Sequence, residues 1–134
     1  MPTGRLPNSA DPNGTGVPCR HCLTQVASGE PYLVFAYRPF PALQPYAELG
    51  PIFLHAKQCP RYAPESSVPP MFLAWPRLLI RGYGSDDRIV YGTGQIVATD
   101  ELAHAADTLL ARPDIAYVHA RSASNNCYQC RIER

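Results

Sequence analysis

The sequence predicts an α+β domain: a mainly antiparallel sheet of about five to seven strands, with one main helix over about 100–111 packed on one face. Three observations carry this expectation. Short apolar or alternating runs, bounded by Pro, Gly and Asn, recur along the chain. Thr99–Ala111 alone carries an apolar stripe at helical spacing. The order is several strands, one helix, then two strands, which favours antiparallel pairing with the helix laid over the sheet.

Each element follows from its residues. Residues 1–17 hold three Pro and three Gly and read as an irregular arm, leaving 18–134 as a single globular domain. Pro31–Tyr37 (PYLVFAY) is an apolar, aromatic run of the kind that forms a buried strand. Arg38–Pro51 carries Pro at 39, 41, 45 and 51 and is a loop. Ile52–Ala56 is a short strand that places Phe53 and His55 on one face. Lys57–Pro76 is a second Pro-rich connection, with one helical turn at Met71–Trp75. Arg77–Tyr83 and Arg88–Ala98 form a hairpin about Gly84–Asp87, and Gly92 and Gly94 mark a bulge or a close backbone approach. Thr99 is placed to cap the helix, whose stripe is Leu102, Ala105, Ala106, Leu109 and Leu110; Arg112-Pro113 stops it. Ile115–Arg121 and Cys127–Glu133 are the last two strands, joined by a turn at Asn125-Asn126.

Bulk properties narrow the function classes. The chain has 134 residues, enough for one core, with 46% hydrophobic and 17% charged residues. A net charge of +1 argues against general nucleic-acid binding and leaves room for a local basic pocket. No apolar stretch approaches the ~20 residues of a membrane span, and no secretory signal is visible at the start. A cytoplasmic location is therefore expected, where thiols stay reduced. The five Cys are an odd number, which weakens a disulfide framework. Among 12 basic residues Lys57 is the lone Lys, and the rest are Arg, whose planar fork suits carboxylate and phosphate, although codon bias accounts for much of that excess.

Several segments carry a resemblance: Cys19-Arg20-His21-Cys22-Leu23, Gly29-Glu30, Tyr37-Arg38-Pro39-Phe40, Gly50–Ala56, Arg81-Gly82-Tyr83, and Tyr117–Arg121 through Asn126-Cys127. Together they resemble the bacterial family known as domain of unknown function 1203, from about Pro18 to the end of the chain. The resemblance implies a small single-domain bacterial protein and brings no activity, cofactor or site with it.

Chemistry must therefore be read from the side chains. On alternating strands, Arg81 shares a face with Tyr83, and His119 shares a face with Tyr117 and Arg121. If those faces adjoin, Arg81, His119 and Arg121, with His55, line a pocket suited to a small anionic molecule, which Arg grips through paired hydrogen bonds. The bland alternative is a set of surface ion pairs. A second reading takes Cys19, Cys22, Cys127 and Cys130 as four zinc ligands stapling the two ends into a protein-interaction module. Against it, residues three apart on a strand face opposite sides, so Cys130 would point with Tyr128 and Ile132 while Cys127 points with Gln129 and Arg131. Reduced, packed cysteines are the plain alternative. A third reading makes Cys127 a nucleophile with His119 or His55 as base and Asn126 nearby, with no local signature to set the geometry. Redox exchange at Cys19-x-x-Cys22 lacks the following helix that such pairs use. The reading adopted from the sequence is the anionic-ligand pocket, because it does not require the final strand to break its alternation.

Overall fold

The computed structural model describes residues 8–9, 16–63 and 67–134. Among these are β1 (Asn8–Ser9), β2 (Pro31–Tyr37), β3 (Gly50–His55), β4 (Arg77–Tyr83), β5 (Gln95–Ala98), α1 (Leu102–Leu110), β6 (Tyr117–Ser122) and β7 (Tyr128–Ile132). Two single turns of 3-10 helix, Pro70–Ala74 and Thr99–Glu101, precede β4 and α1. Most of the arm expected at 1–17 lies outside the described residues; Asn8 and Ser9 pair with Tyr32 and Pro31. None of the described helices is long and apolar enough to cross a membrane.

The α+β class is as expected, and the strands divide between two antiparallel sheets, ordered β1-β2-β3 and β5-β4-β6-β7. The four-stranded sheet has two unlike faces. Leu78, Ile80, Val118 and Ala120 pack with Leu102, Leu109 and Leu110 of α1 in the main core, joined by Ile115, Phe72 and Met71. Full burial of each such Leu or Ile is worth about 1.5–3 kcal/mol, which holds α1 in place. On the opposite face Tyr83 and Tyr117 are buried under Phe40, which comes from the loop between β2 and β3.

Three local features differ from expectation. Thr99 does not cap α1: its hydroxyl donates to the Trp75 carbonyl and its amide to the Pro76 carbonyl at 3.0 Å, tying the helix start to the chain entering β4. The return strand after the hairpin is broken. Gly92 takes a left-handed φ of +87°, and the return pairs in two pieces: a single bridge of Ile89 to Tyr83, then β5 against Arg77–Ile80. Between them, the Thr93 hydroxyl accepts from the Gly82 amide at 2.9 Å and donates to the Val90 carbonyl at 2.6 Å, replacing the missing ladder bonds. Finally, β7 carries a bulge. Ala120 faces Cys130, but Arg121 faces Tyr128, so Gln129 is extra.

Candidate functional site

The strongest cluster of chemistry-bearing side chains forms where the small sheet meets the chain entering it. Residues 17–26 fold into a tight knuckle: Val26 N–H bonds the Val17 carbonyl at 2.9 Å, Cys19 N–H bonds Thr24 at 3.0 Å, and Leu23 takes a left-handed φ of 54°. The knuckle lies along β3 through a Cys19–Phe53 bridge, and the Arg20 amide bonds the Phe53 carbonyl at 2.9 Å. Tyr62 N–H bonds the His21 carbonyl at 2.8 Å, which carries the chain after β3 back over the knuckle. These contacts bring together Cys19 and Cys22 of the knuckle, His55 at the end of β3, and Cys59 four residues later.

One ligand atom from each of these four residues lies within 4.8 Å of every other. Cys19 Sγ is 3.9 Å from Cys59 Sγ, and Cys22 Sγ is 3.4 Å from His55 Nδ1. Tetrahedral zinc, with Zn–S near 2.3 Å and Zn–N near 2.0–2.1 Å, sets ligand edges of about 3.8 Å for S···S and about 3.5 Å for S···N. The donor set, and the Cys19–Cys59 and Cys22–His55 edges, therefore fit zinc. His21 Nδ1 stands 3.4 Å from Cys59 Sγ, in place to steady that sulfur from outside.

The electrostatics are those of a thiolate nest. Burial raises the Cys19 pKa, but amide groups of Cys22, His55 and His21 directed at the sulfur more than offset this and hold it near 7. The His55 N–H reaches that sulfur at 3.4 Å. Cys59 is pushed up to about 12, by desolvation first and by the neighbouring Cys19 second. Crowded thiols that resist ionising together are what a divalent cation relieves.

Of the sequence-predicted metal ligands, the structure brings Cys19 and Cys22 together and leaves Cys127 and Cys130 elsewhere. Cys130 packs against the main core, where burial raises its pKa to about 12. The bulge at Gln129 is the reason it parts from Tyr128, which instead meets His119 on the opposite face at a ring distance of 4.8 Å. Cys127 lies in a cleft of about 410 Å³ with Arg20, Trp75, Arg77 and Ser122, and its thiol donates to the Asn125 carbonyl at 3.8 Å. The thiol thus donates to a carbonyl and lies in the field of Arg20, while the two histidines proposed as its base are engaged with other groups, His55 with Cys22 and His119 with Arg121. Cys59 is the candidate ligand that sequence reasoning missed. The signal was the spacing His55-x-x-x-Cys59, which matches the second half of a C-x-x-C…H-x₃-type zinc site with Cys as its last ligand.

A second constellation occupies the Phe40-covered face of the large sheet. The β4–β6 register sets Arg81 opposite His119 and Leu79 opposite Arg121, so the two predicted faces do adjoin. Arg81 Nη2 donates to Glu48 Oε1 at 2.7 Å, and Arg121 Nη2 forms an ion pair with the same oxygen at 2.5 Å. His119 is fully buried among Phe40, Tyr83, Tyr117 and Tyr128, and its Nδ1 meets Arg121 Nη2 at 3.3 Å. Desolvation, aided by Arg121, Arg81 and Arg131, lowers its pKa to about 3, so the ring is neutral. His55 is not part of this group; it belongs to the cysteine cluster.

The fold and the cluster define an α+β domain of two antiparallel sheets with a Cys₃His corner. Residues 16–134 match the family described as Protein of unknown function (DUF1203), and the chain belongs to that family. Comparison with curated proteins and with solved structures finds no match.

Proposed function

We propose that this chain is a zinc-stapled domain in which Cys19, Cys22, His55 and Cys59 hold one structural metal ion. The observation that carries the reading is the convergence of three sulfurs and one imidazole nitrogen within 4.8 Å of one another, with the Cys19–Cys59 and Cys22–His55 edges at 3.9 and 3.4 Å. Four protein ligands close the coordination shell, which is the arrangement of structural rather than catalytic zinc. The metal would neutralise the crowded thiols and fasten the knuckle and the 56–63 connection to β3, where the local apolar cluster is small: Val17, Cys19 and Val26, with partly buried neighbours.

Protein purified without chelator is expected to carry about one zinc per chain, with Cys19, Cys22 and Cys59 unreactive toward a thiol reagent before denaturation and reactive after it. Cys59→Ser should weaken zinc binding by more than about 100-fold, since a direct ligand is worth at least as much as the outer partners that cost 10–100-fold. Cys127→Ser should leave zinc content unchanged. Metal-free protein in which Cys22 and Cys59 react as readily as Cys127, and whose melting temperature does not respond to zinc, would sink the reading.

A further inference from the structure

The arginine face sets two guanidiniums against one carboxylate, with neutral partners for part of the remainder: Arg81 Nε donates to the Tyr83 hydroxyl at 2.9 Å and Arg121 Nη1 to the Asn126 carbonyl at 3.0 Å. Arg81 and Arg121 both spend a terminal nitrogen on the same oxygen, Glu48 Oε1. Arg121, only 2% exposed, keeps a buried Nε with no partner, and fully buried His119 keeps a partnerless Nε2. A buried polar group left unsatisfied is costly, so a fold seldom retains two on one face without a use for them. The charge is also unbalanced, with two guanidiniums set against one carboxylate; nearby Arg131 is matched by Glu133 at 2.5 Å.

Glu48 is built differently from its partners. Its side chain is 42% exposed, whereas those of Arg81 and Arg121 are 16% and 2% exposed. The loop that carries it is anchored at three points ahead of Glu48. Phe40 is inserted against Tyr83 and His119, Gln44 Nε2 donates to the Asp87 carbonyl at 2.9 Å, and the Tyr46 and Tyr91 hydroxyls meet at 2.6 Å. The Glu48 side chain can therefore turn out to water while Phe40 stays seated.

We infer that Glu48 is an internal placeholder in an oxyanion-binding site, and that a small molecule bearing a carboxylate or phosphate displaces it to lie between Arg81 and Arg121. Two or three ligand oxygens would meet both guanidinium forks, which a single oxygen of Glu48 does not. The neutral His119 ring supplies polarity without adding a competing charge. The aromatic wall of Phe40, Tyr83 and Tyr128 suits a ligand with a planar or apolar body. This inference is independent of the zinc site.

The test uses the protein as purified, with inorganic phosphate and succinate titrated calorimetrically at constant ionic strength, so that screening is held fixed. Glu48→Gln should bind one of the two at least about tenfold more tightly than wild type, because the internal competitor has lost its charge. Adding Arg81→Gln to that variant should abolish the binding. The same anion should move the His119 ring resonances of wild-type protein saturably, a readout that stands even if Glu48→Gln fails to fold. Phosphate would point to a phosphorylated ligand and succinate to a carboxylate. No saturable response to either anion, a response matched by chloride, or binding indifferent to Arg81→Gln would overturn the proposal and leave Glu48 as a structural ion pair.

Discussion

At the scale of single residues, identical side chains take opposite roles according to what surrounds them. Cys19 sits at the focus of backbone amides and is held near pKa 7, although burial alone would raise it, while Cys130, buried among apolar groups, is pushed up to about 12. His55 faces a thiol and His119 faces guanidiniums. For His119 the consequence is a dependence of stability on pH. Its folded pKa of about 3 lies below the unfolded value near 6.5, so between those pH values the unfolded chain binds the extra proton. The stability tied to a neutral ring is thus present above about pH 6.5 and is lost as pH falls toward 3, at about 1.4 kcal/mol per pH unit. Urea unfolding of wild type and His119→Gln at pH 7 and pH 5 should show wild type losing about 2 kcal/mol more than the variant. The difference cancels the other titrating groups. Equal losses would mean that the ring is not held neutral.

At the scale of elements, small irregularities decide which side chains meet. The bulge at Gln129 turns Tyr128 onto the His119 face and leaves Cys130 on the core face. Strict alternation would have put the two together, and the sequence holds no local sign of an inserted residue because Gln129 lies between ordinary strand formers. Gly82 is the second such point. A Cβ there would lie 2.7 Å from Ile115 Cδ1 and 3.3 Å from the Thr93 side chain, whose hydroxyl also bonds the Gly82 amide. Gly82→Ala should therefore destabilise the domain by about 1–3 kcal/mol through overpacking. Gly50→Ala, where a Cβ meets nothing within 4 Å, should stay within about 0.5 kcal/mol of wild type. Matching denaturant midpoints for the two variants would show that close approach is not what Gly82 provides.

At the scale of the whole molecule, stability is unevenly shared. The large sheet and α1 enclose the main core, while the small sheet leans on a few buried residues around Cys19. If zinc supplies what the smaller cluster lacks, its removal should open that part first. Hydrogen exchange after chelation should show β2, β3 and the knuckle losing protection while β4 and β6 keep theirs. Uniform loss across both sheets would instead make the metal a support of one cooperative unit.

The sequence by itself determined the features that depend on neighbours along the chain. The apolar runs marked β2, β4 and β6, the 3.6-residue stripe marked α1, and period-2 alternation put His119 with Arg121 and Arg81 with Tyr83, because strand alternation is a local rule. The C-x-x-C pair was legible for the same reason. Only the tertiary structure decided the partners. Cys19 meets Cys59 across 40 positions, and Glu48 meets Arg81 across 33, through the docking of the knuckle on β3 and of the Phe40 loop on the large sheet. No local propensity encodes such contacts. They exist because separate apolar faces must be buried against each other, and that docking carries the polar side chains at their edges into reach.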